Sequence, residues 1–184
     1  GQGGMAAILA SNIKNVEKLI VFCSNFGLLQ IANDNSDGQT VISGSMDAID
    51  QSIKLSKEFG IKKIIKLNVS APFHCDLMKP AESIMKEELN KTKVNDALIK
   101  IICNYDAKIE TNSIKLKQNL ISQIINKVRW RETIDLLFEN NVQNFVEVGT
   151  GRVLSTLVRR SYPDVNVYNI ENFEDIVLFL EKNG

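Results

Sequence analysis

The sequence predicts an α/β chain in two parts: a ferredoxin-like small domain over residues 1–69 and an α/β domain of parallel-sheet type over residues 70–184. Three observations predict it. Apolar runs of strand length alternate with segments whose apolar residues recur at helical spacing. In the first part the order is strand, helix, strand, strand, helix, strand. In the second part single strands and helices alternate, the order of parallel strands covered by helices.

The elements follow from local chemistry. Met5-Ala6-Ala7-Ile8-Leu9 reads as a strand, and Ser11-Asn12 can cap a helix whose Ile13, Val16, Leu19, Ile20 and Cys23 share one face. Two apolar runs, 28–31 and 40–43, are separated by Asn, Asp, Ser and Gly, a loop between two strands. Ser45 can cap a second helix, with Ala48, Ile49, Ile53 and Phe59 available for burial and Gly60 to end it. Lys63-Ile64-Ile65-Lys66-Leu67 returns as a strand.

From Ser70 onward a helix, a buried-type strand at 98–103 and helices near 114–126 and 131–140 are predicted. Then come the strand Asn144-Phe145-Val146-Glu147-Val148, a glycine turn, a helix at 154–160, a strand at 165–170 and a last helix at 174–182. This register looks like the C-terminal portion of an α/β-hydrolase-like domain whose first strands are missing. No internal repeat or low-complexity segment interrupts it.

Composition narrows the function class. Lys plus Arg and Asp plus Glu number 22 each, so no global charge argues for a nucleic-acid partner. No apolar run is long enough to span a bilayer, so no membrane partner is expected. Cys23, Cys75 and Cys103 form an odd set without metal-ligand spacing, and no secretory signal precedes them, which predicts a reducing cytoplasm. The first residue is Gly1 rather than methionine, and a fragment or a processed product is expected.

His74 is the only histidine. It follows a strand-like segment and a Pro72 turn, and it is predicted to open an amphipathic helix bearing Leu77, Met78, Ala81, Ile84, Met85 and Leu89. At a helix N-terminus the macrodipole disfavours an imidazolium, and a neutral ring can accept a proton as a general base must. The plainer reading is a helix-entry histidine bonded to nearby backbone. Cys75 adjoins it, but adjacent residues at a helix start point in different directions, so no Cys–His dyad is assigned.

The stretch Val69-Ser70-Ala71-Pro72-Phe73-His74-Cys75-Asp76-Leu77-Met78-Lys79-Pro80-Ala81 resembles the histidine motif of malonyl-CoA:acyl carrier protein transacylases, V-S-x-P-F/S-H-S/C-x-L-M-x-P-A. Three further segments match that family in order. Asn33-Asp34-Asn35-Ser36-Asp37-Gly38-Gln39-Thr40-Val41-Ile42-Ser43-Gly44 is similar to N-x-N-S-P-G-Q-x-V-I-S-G, with Asp37 for proline. Gln123-Ile124-Ile125-Asn126-Lys127-Val128-Arg129-Trp130 is similar to Q-x-x-N-P-V-x-W, with Lys127 for proline. Glu147-Val148-Gly149-Thr150-Gly151-Arg152-Val153-Leu154 is similar to E-V-G-P-G-K-V-L. The resemblance spans essentially the whole chain and covers only the C-terminal part of the family.

The resemblance implies malonyl transfer from coenzyme A to acyl carrier protein in fatty-acid synthesis, by a ping-pong Ser–His mechanism without metal or tightly held cofactor. It implies that His74 is the base and that the main-chain carbonyl of Gln123 orients it, whereas Gln123 could equally be a helix-surface amide. It places Asn33, Asn35 and Gln39 in a loop facing the cleft, though Asx residues also suit turns for local reasons. Phe73 stands where relatives tune the acyl pocket, or it simply packs the cleft wall. Lys62-Lys63, Arg129 with Arg131, and Arg159-Arg160 are solvated surface by default, or a docking patch for the acidic carrier.

The family's attacking serine stands in G-x-S-x-G, and no serine here does; Ser43-Gly44-Ser45-Met46-Asp47 lacks the second glycine. Gly1-Gln2-Gly3-Gly4 matches a later family segment, so Gln2 is given no oxyanion role. The nucleophile is therefore expected in a missing N-terminal portion, and apolar surface is expected where absent strands would pack. Two other readings stand beside this one. The chain could be a catalytically silent or carrier-binding module, or the Glu147–Gly151 turn could open an S-adenosylmethionine site, although Val153 occupies that motif's third glycine position.

Overall fold

The structure, a computed structural model, describes residues 3–183. Gln2 lies outside the described residues. The chain divides into two compact units, Gly1–Thr133 and Ile134–Gly184. The expected boundary after residue 69 falls inside the first unit, because the chain beyond it packs back onto the small domain's sheet.

That unit begins β1 (Gly3–Leu9), α1 (Ile13–Cys23), β2 (Leu29–Ser36), β3 (Gln39–Ser45), α2 (Met46–Leu55) and β4 (Lys63–Lys66). The strands form one sheet in the order β2-β3-β1-β4, antiparallel throughout, which is the ferredoxin-like arrangement. Asn12 caps α1, its Oδ1 accepting the Asn15 N–H at 3.0 Å. Val16, Leu19 and Cys23 of α1 and Ala48 and Ile49 of α2 bury against Ala6, Ile8, Leu29 and Ile42 of the sheet. This burial pushes the Cys23 thiol up. The opposite sheet face buries Met5, Ala32 and Val41.

Three local expectations need correction. Residues 33–36 are not loop but the end of β2, paired with β3, and Asp37-Gly38 alone make the turn. The polar residues that favour a turn are held in strand form from both sides. The Asp34 N–H donates to the Val128 carbonyl at 2.9 Å, and the Val128 N–H donates to Ala32 at 2.8 Å. Ser45 sits at the start of α2 without capping it; its hydroxyl turns to the Leu28 carbonyl at 3.4 Å. The buried-type strand predicted at 98–103 shrinks to β5 (Ile101–Ile102), paired with β6 (Ile109–Glu110), while Leu98 is fully exposed and Ile99 mostly so. Among the described residues no neighbouring strand covers Leu98 and Ile99.

The first unit continues with α3 (Lys79–Lys91), α4 (Ser113–Gln123) and α5 (Trp130–Glu139), the last crossing into the second unit. The second unit holds β7 (Asn144–Val148), α6 (Val153–Ser161), β8 (Asn166–Ile170) and α7 (Phe173–Asn183), with β7 and β8 parallel as the alternation predicts. No helix among the described residues is long and apolar enough to cross a membrane.

One ion pair ties α5 to the sheet. Asp34 is 3% exposed, and the Arg131 guanidinium reaches both of its carboxylate oxygens, with Nη2 at 2.8 Å and Nε at 3.2 Å. A carboxylate this deep is stable only while its partner stays. Arg131→Leu is expected to cost about 3 kcal/mol by leaving that charge alone, and adding Asp34→Leu is expected to recover part of the loss. Urea unfolding of the single and double variants checks the order.

Candidate active site

His74 lies in a turn rather than at a helix start. A 3-10 turn, Asp76–Met78, comes next and α3 begins only at Lys79, with Pro80 in its first turn. Proline is well placed there because its missing N–H would have no helical partner. The helix-terminus argument for His74 therefore does not apply, since the macrodipole acts within about one turn. The residue has φ +59°, a left-handed backbone that few side chains adopt.

The ring is fixed instead by a hydrogen bond. Its Nδ1 lies 2.9 Å from the main-chain oxygen of Gln123, the last residue of α4. The final carbonyls of a helix have no partner inside it, so this oxygen is available. A carbonyl only accepts, so Nδ1 donates a proton, and of the two neutral tautomers this geometry selects the one with its lone pair on Nε2. The Gln123 amide nitrogen, 3.5 Å from Nδ1, is itself a donor and gives one of its two hydrogens to the Asn126 carbonyl at 2.9 Å. Asn126 in turn donates to the Ser122 carbonyl at 2.7 Å. These two side-chain amides close the end of α4 and hold the Gln123 carbonyl toward the ring. The resemblance implied this carbonyl; the staple that presents it follows from the spacing of Gln123 and Asn126.

Cys75 is fully buried, and its thiol donates to the Pro72 carbonyl at 3.1 Å, so it serves the turn and forms no dyad with the ring. Pro72 fits closely because residue 3 is glycine: a Cβ there would stand 2.5 Å from the proline Cγ. The Asp76 N–H donates to Oε1 of Gln30 in β2 at 2.7 Å.

A groove of about 400 Å³ contains His74. Its apolar wall comes from Ile20 and Val21 of α1 and Leu29 and Ile31 of β2, and Lys127 lies on its rim. None of Phe73, Asn33, Asn35 and Gln39 lines it. Phe73 stands next to the ring residue in the same turn and is 40% exposed. Asn33 forms a parallel bridge with Val128, Asn35 falls at a register shift in β2, and Gln39 is the first residue of β3. Sequence reasoning missed Gln30, whose only signal is a lone amide within the apolar run 28–31. It also missed the bond between Asp34 and Arg131, two residues that read as loop and surface.

Beside the groove, Glu132 accepts from Arg129 and lies 3.5 Å from Lys127. The bond from Arg129 holds the Glu132 carboxyl below the usual carboxylate range and raises the guanidinium in turn. Among the described residues, no group of three or more His, Cys, Asp or Glu is placed to hold a metal ion.

In the second unit, the glycine turn is closed by its own glutamate. Glu147 accepts the N–H groups of Leu154 at 3.1 Å and Ser155 at 2.8 Å, and the Asn169 amide at 3.1 Å. It thereby takes the first amides of α6, which a cofactor-binding glycine loop would leave to its ligand. Burial would raise this carboxyl, but the bonds it accepts, chiefly from Ser155, hold it below its ordinary range. A lowered folded value means stability present above the unfolded value of about 4.3 and lost as pH falls through the folded one. Glu147→Gln is therefore expected to be less stable than the parent at pH 7, with the gap closing in acid; thermal melts across pH check this.

No family model matches the chain. Curated relatives do. It is 37% identical over 182 residues to the malonyl CoA-acyl carrier protein transacylase of Bacillus subtilis (strain 168), covering 98% of this chain and 57% of the relative. It is 32% identical over 177 residues to that of Staphylococcus aureus (strain MSSA476), covering 96% and 58%. Among solved structures, an acyl-carrier-protein S-malonyltransferase from Bartonella henselae superposes with a TM-score of 0.94 at 36% identity, over 99% of this chain and 58% of that one. A malonyl-transacylase solved in complex with its type II polyketide acyl carrier protein gives 0.94 at 30% identity, over 100% and 59%. The chain thus spans 57–59% of the length of these proteins. In sequence and in fold it is homologous to a part of the malonyl CoA-acyl carrier protein transacylases, in keeping with their C-terminal part.

Proposed function

We propose that this chain supplies the general base and the small domain of an enzyme that moves malonyl groups from coenzyme A to acyl carrier protein. The observation that carries the reading is the 2.9 Å bond from His74 Nδ1 to the Gln123 carbonyl, which leaves Nε2 as a proton acceptor beside an open groove. In this reading Nε2 takes the proton of a serine hydroxyl as its oxygen attacks the thioester carbon of malonyl-CoA. The tetrahedral intermediate expels the coenzyme A sulfur, which receives that proton. The carrier thiol then gives its proton to Nε2 and attacks the serine ester, and the serine oxygen leaves with the proton. Gln123 orients the ring without adding a charge. Phe73, next to the base in sequence, is assigned to the acyl site on the resemblance alone, since it does not line the groove.

The serine belongs to a portion of the enzyme outside these 184 residues. Two features support that assignment: no serine here stands in G-x-S-x-G, and apolar side chains of the first unit are exposed, including Ile84 at 65% and Ile99 at 77%. The partners are then malonyl-CoA, acyl carrier protein and that preceding portion, in the cytoplasm, with no resident metal or cofactor. The same absence of a nucleophile favours a second reading, a silent carrier-binding module.

Two experiments test the proposal. The purified chain alone is expected to remain unlabelled by radioactive malonyl-CoA; covalent labelling would overturn the division of labour. In the complete enzyme, His74→Ala is expected to slow acyl-serine formation by about 10²–10⁴-fold, the usual weight of general-base catalysis. Near-normal turnover would refute the role of the ring and leave the silent module.

A further inference from the structure

We propose that Gln30 is a positioning residue for His74, holding the turn that carries the ring; this rests on reading His74 as the base. The backbone of His74 needs holding. At φ +59° a residue with a side chain is strained and persists only where its surroundings over-determine it. Two of the bonds that do so are local: the Cys75 thiol to the Pro72 carbonyl, and the Met78 N–H to the Cys75 carbonyl at 2.9 Å. Local bonds fix the shape of the turn but not its place against the rest of the molecule.

Beside the packing of Pro72 on Gly3, two residues distant in sequence, both glutamines, supply hydrogen bonds that place the turn. Gln123 grips the ring at Nδ1, and Gln30 grips the main chain two residues later, its Oε1 accepting the Asp76 N–H at 2.7 Å. Gln30 is well built to be an anchor. It sits in β2, its backbone in register with Ser43 of β3, so its Cα is fixed by the four-stranded sheet. It also lines the groove that His74 occupies. A neutral amide oxygen accepts the bond without placing a charge beside the imidazole, which a carboxylate would do. Without Gln30 the turn keeps its internal bonds and the packing of Pro72 on Gly3 but loses its hydrogen bond to the sheet, and the ring no longer meets the Gln123 carbonyl in one orientation.

The test reads the imidazole directly. ¹⁵N spectra of the full chain identify the His74 ring by signals absent in His74→Asn. The parent is expected to show one neutral tautomer, with the proton on Nδ1. Gln30→Leu, similar in volume and without an acceptor, is expected to show proton sharing between Nδ1 and Nε2, and about tenfold faster hydrogen exchange at the Asp76 amide, the scale of one lost bond. Gln30→Glu keeps an acceptor oxygen and, at about pH 9 where an imidazole is neutral, is expected to retain the parent tautomer. A parent-like spectrum in Gln30→Leu, or loss of the tautomer in Gln30→Glu, would overturn the proposal. Should Gln30→Leu not fold, Gln30→Ser, too short to reach Asp76, is judged by the same criteria. Neither readout involves turnover. An active His74→Ala enzyme would remove the catalytic reading and leave the contact standing, whereas an unchanged ring in Gln30→Leu would remove only the positioning role.

Discussion

The hydrogen bond between His74 and the Gln123 carbonyl is the constraint around which the first unit is arranged. It requires that α4 stop at Gln123, since a helix that continued would consume that oxygen within its own ladder four residues later. The stop is made by side chains. The Gln123 and Asn126 amides take up main-chain carbonyls on either side of the helix end. The Val128 segment then leaves along the edge of β2 rather than prolonging the helix. A neutral acceptor sets the tautomer of the ring and brings no buried charge with it, so no desolvation cost has to be offset nearby.

β2 is the element on which both halves of this arrangement rest. Gln30 reaches the turn after His74, Ala32 and Asp34 bond the main chain at Val128, and the Asp34 carboxylate holds Arg131 at the start of α5. One strand thus fixes the loop bearing the ring and the segment leaving the residue that orients it. Its two register shifts belong to the same design: an extra residue in one strand bends it and re-aims the side chains that follow. The small domain is therefore the reference frame for the histidine as well as a neighbour of the groove.

How much of this was legible depended on the range of the interaction. The order of strands and helices in the small domain, the Asn12 cap and the parallel β7–β8 pair follow from periodicity and local chemistry, and they stand as expected, whereas nothing in the periodicity announces the antiparallel β5–β6 pair. The histidine could be singled out because it is unique and carries a recognisable motif. Its surroundings could not be read as well. Residues 33–36 resemble a turn because Asn, Asp and Ser favour local bonding, whereas pairing with β3 on one side and partners almost a hundred residues away on the other keep them extended. The helix after the ring was expected too early, because Leu77 and Met78 continue its apolar period although they form a 3-10 turn. Burial of residues 98–103 failed for the opposite reason: hydrophobicity alone specifies no partner strand.

The sheet has a second border, opposite β2, and its chemistry has a consequence for how the chain behaves in company. β4 is only four residues long, carries a lysine at each end, and ties one of them, Lys66, to Asp50 at 2.6 Å. A brief, positively charged rim is a poor template for another molecule's backbone. On this border the sheet therefore discourages strand-by-strand addition of another chain.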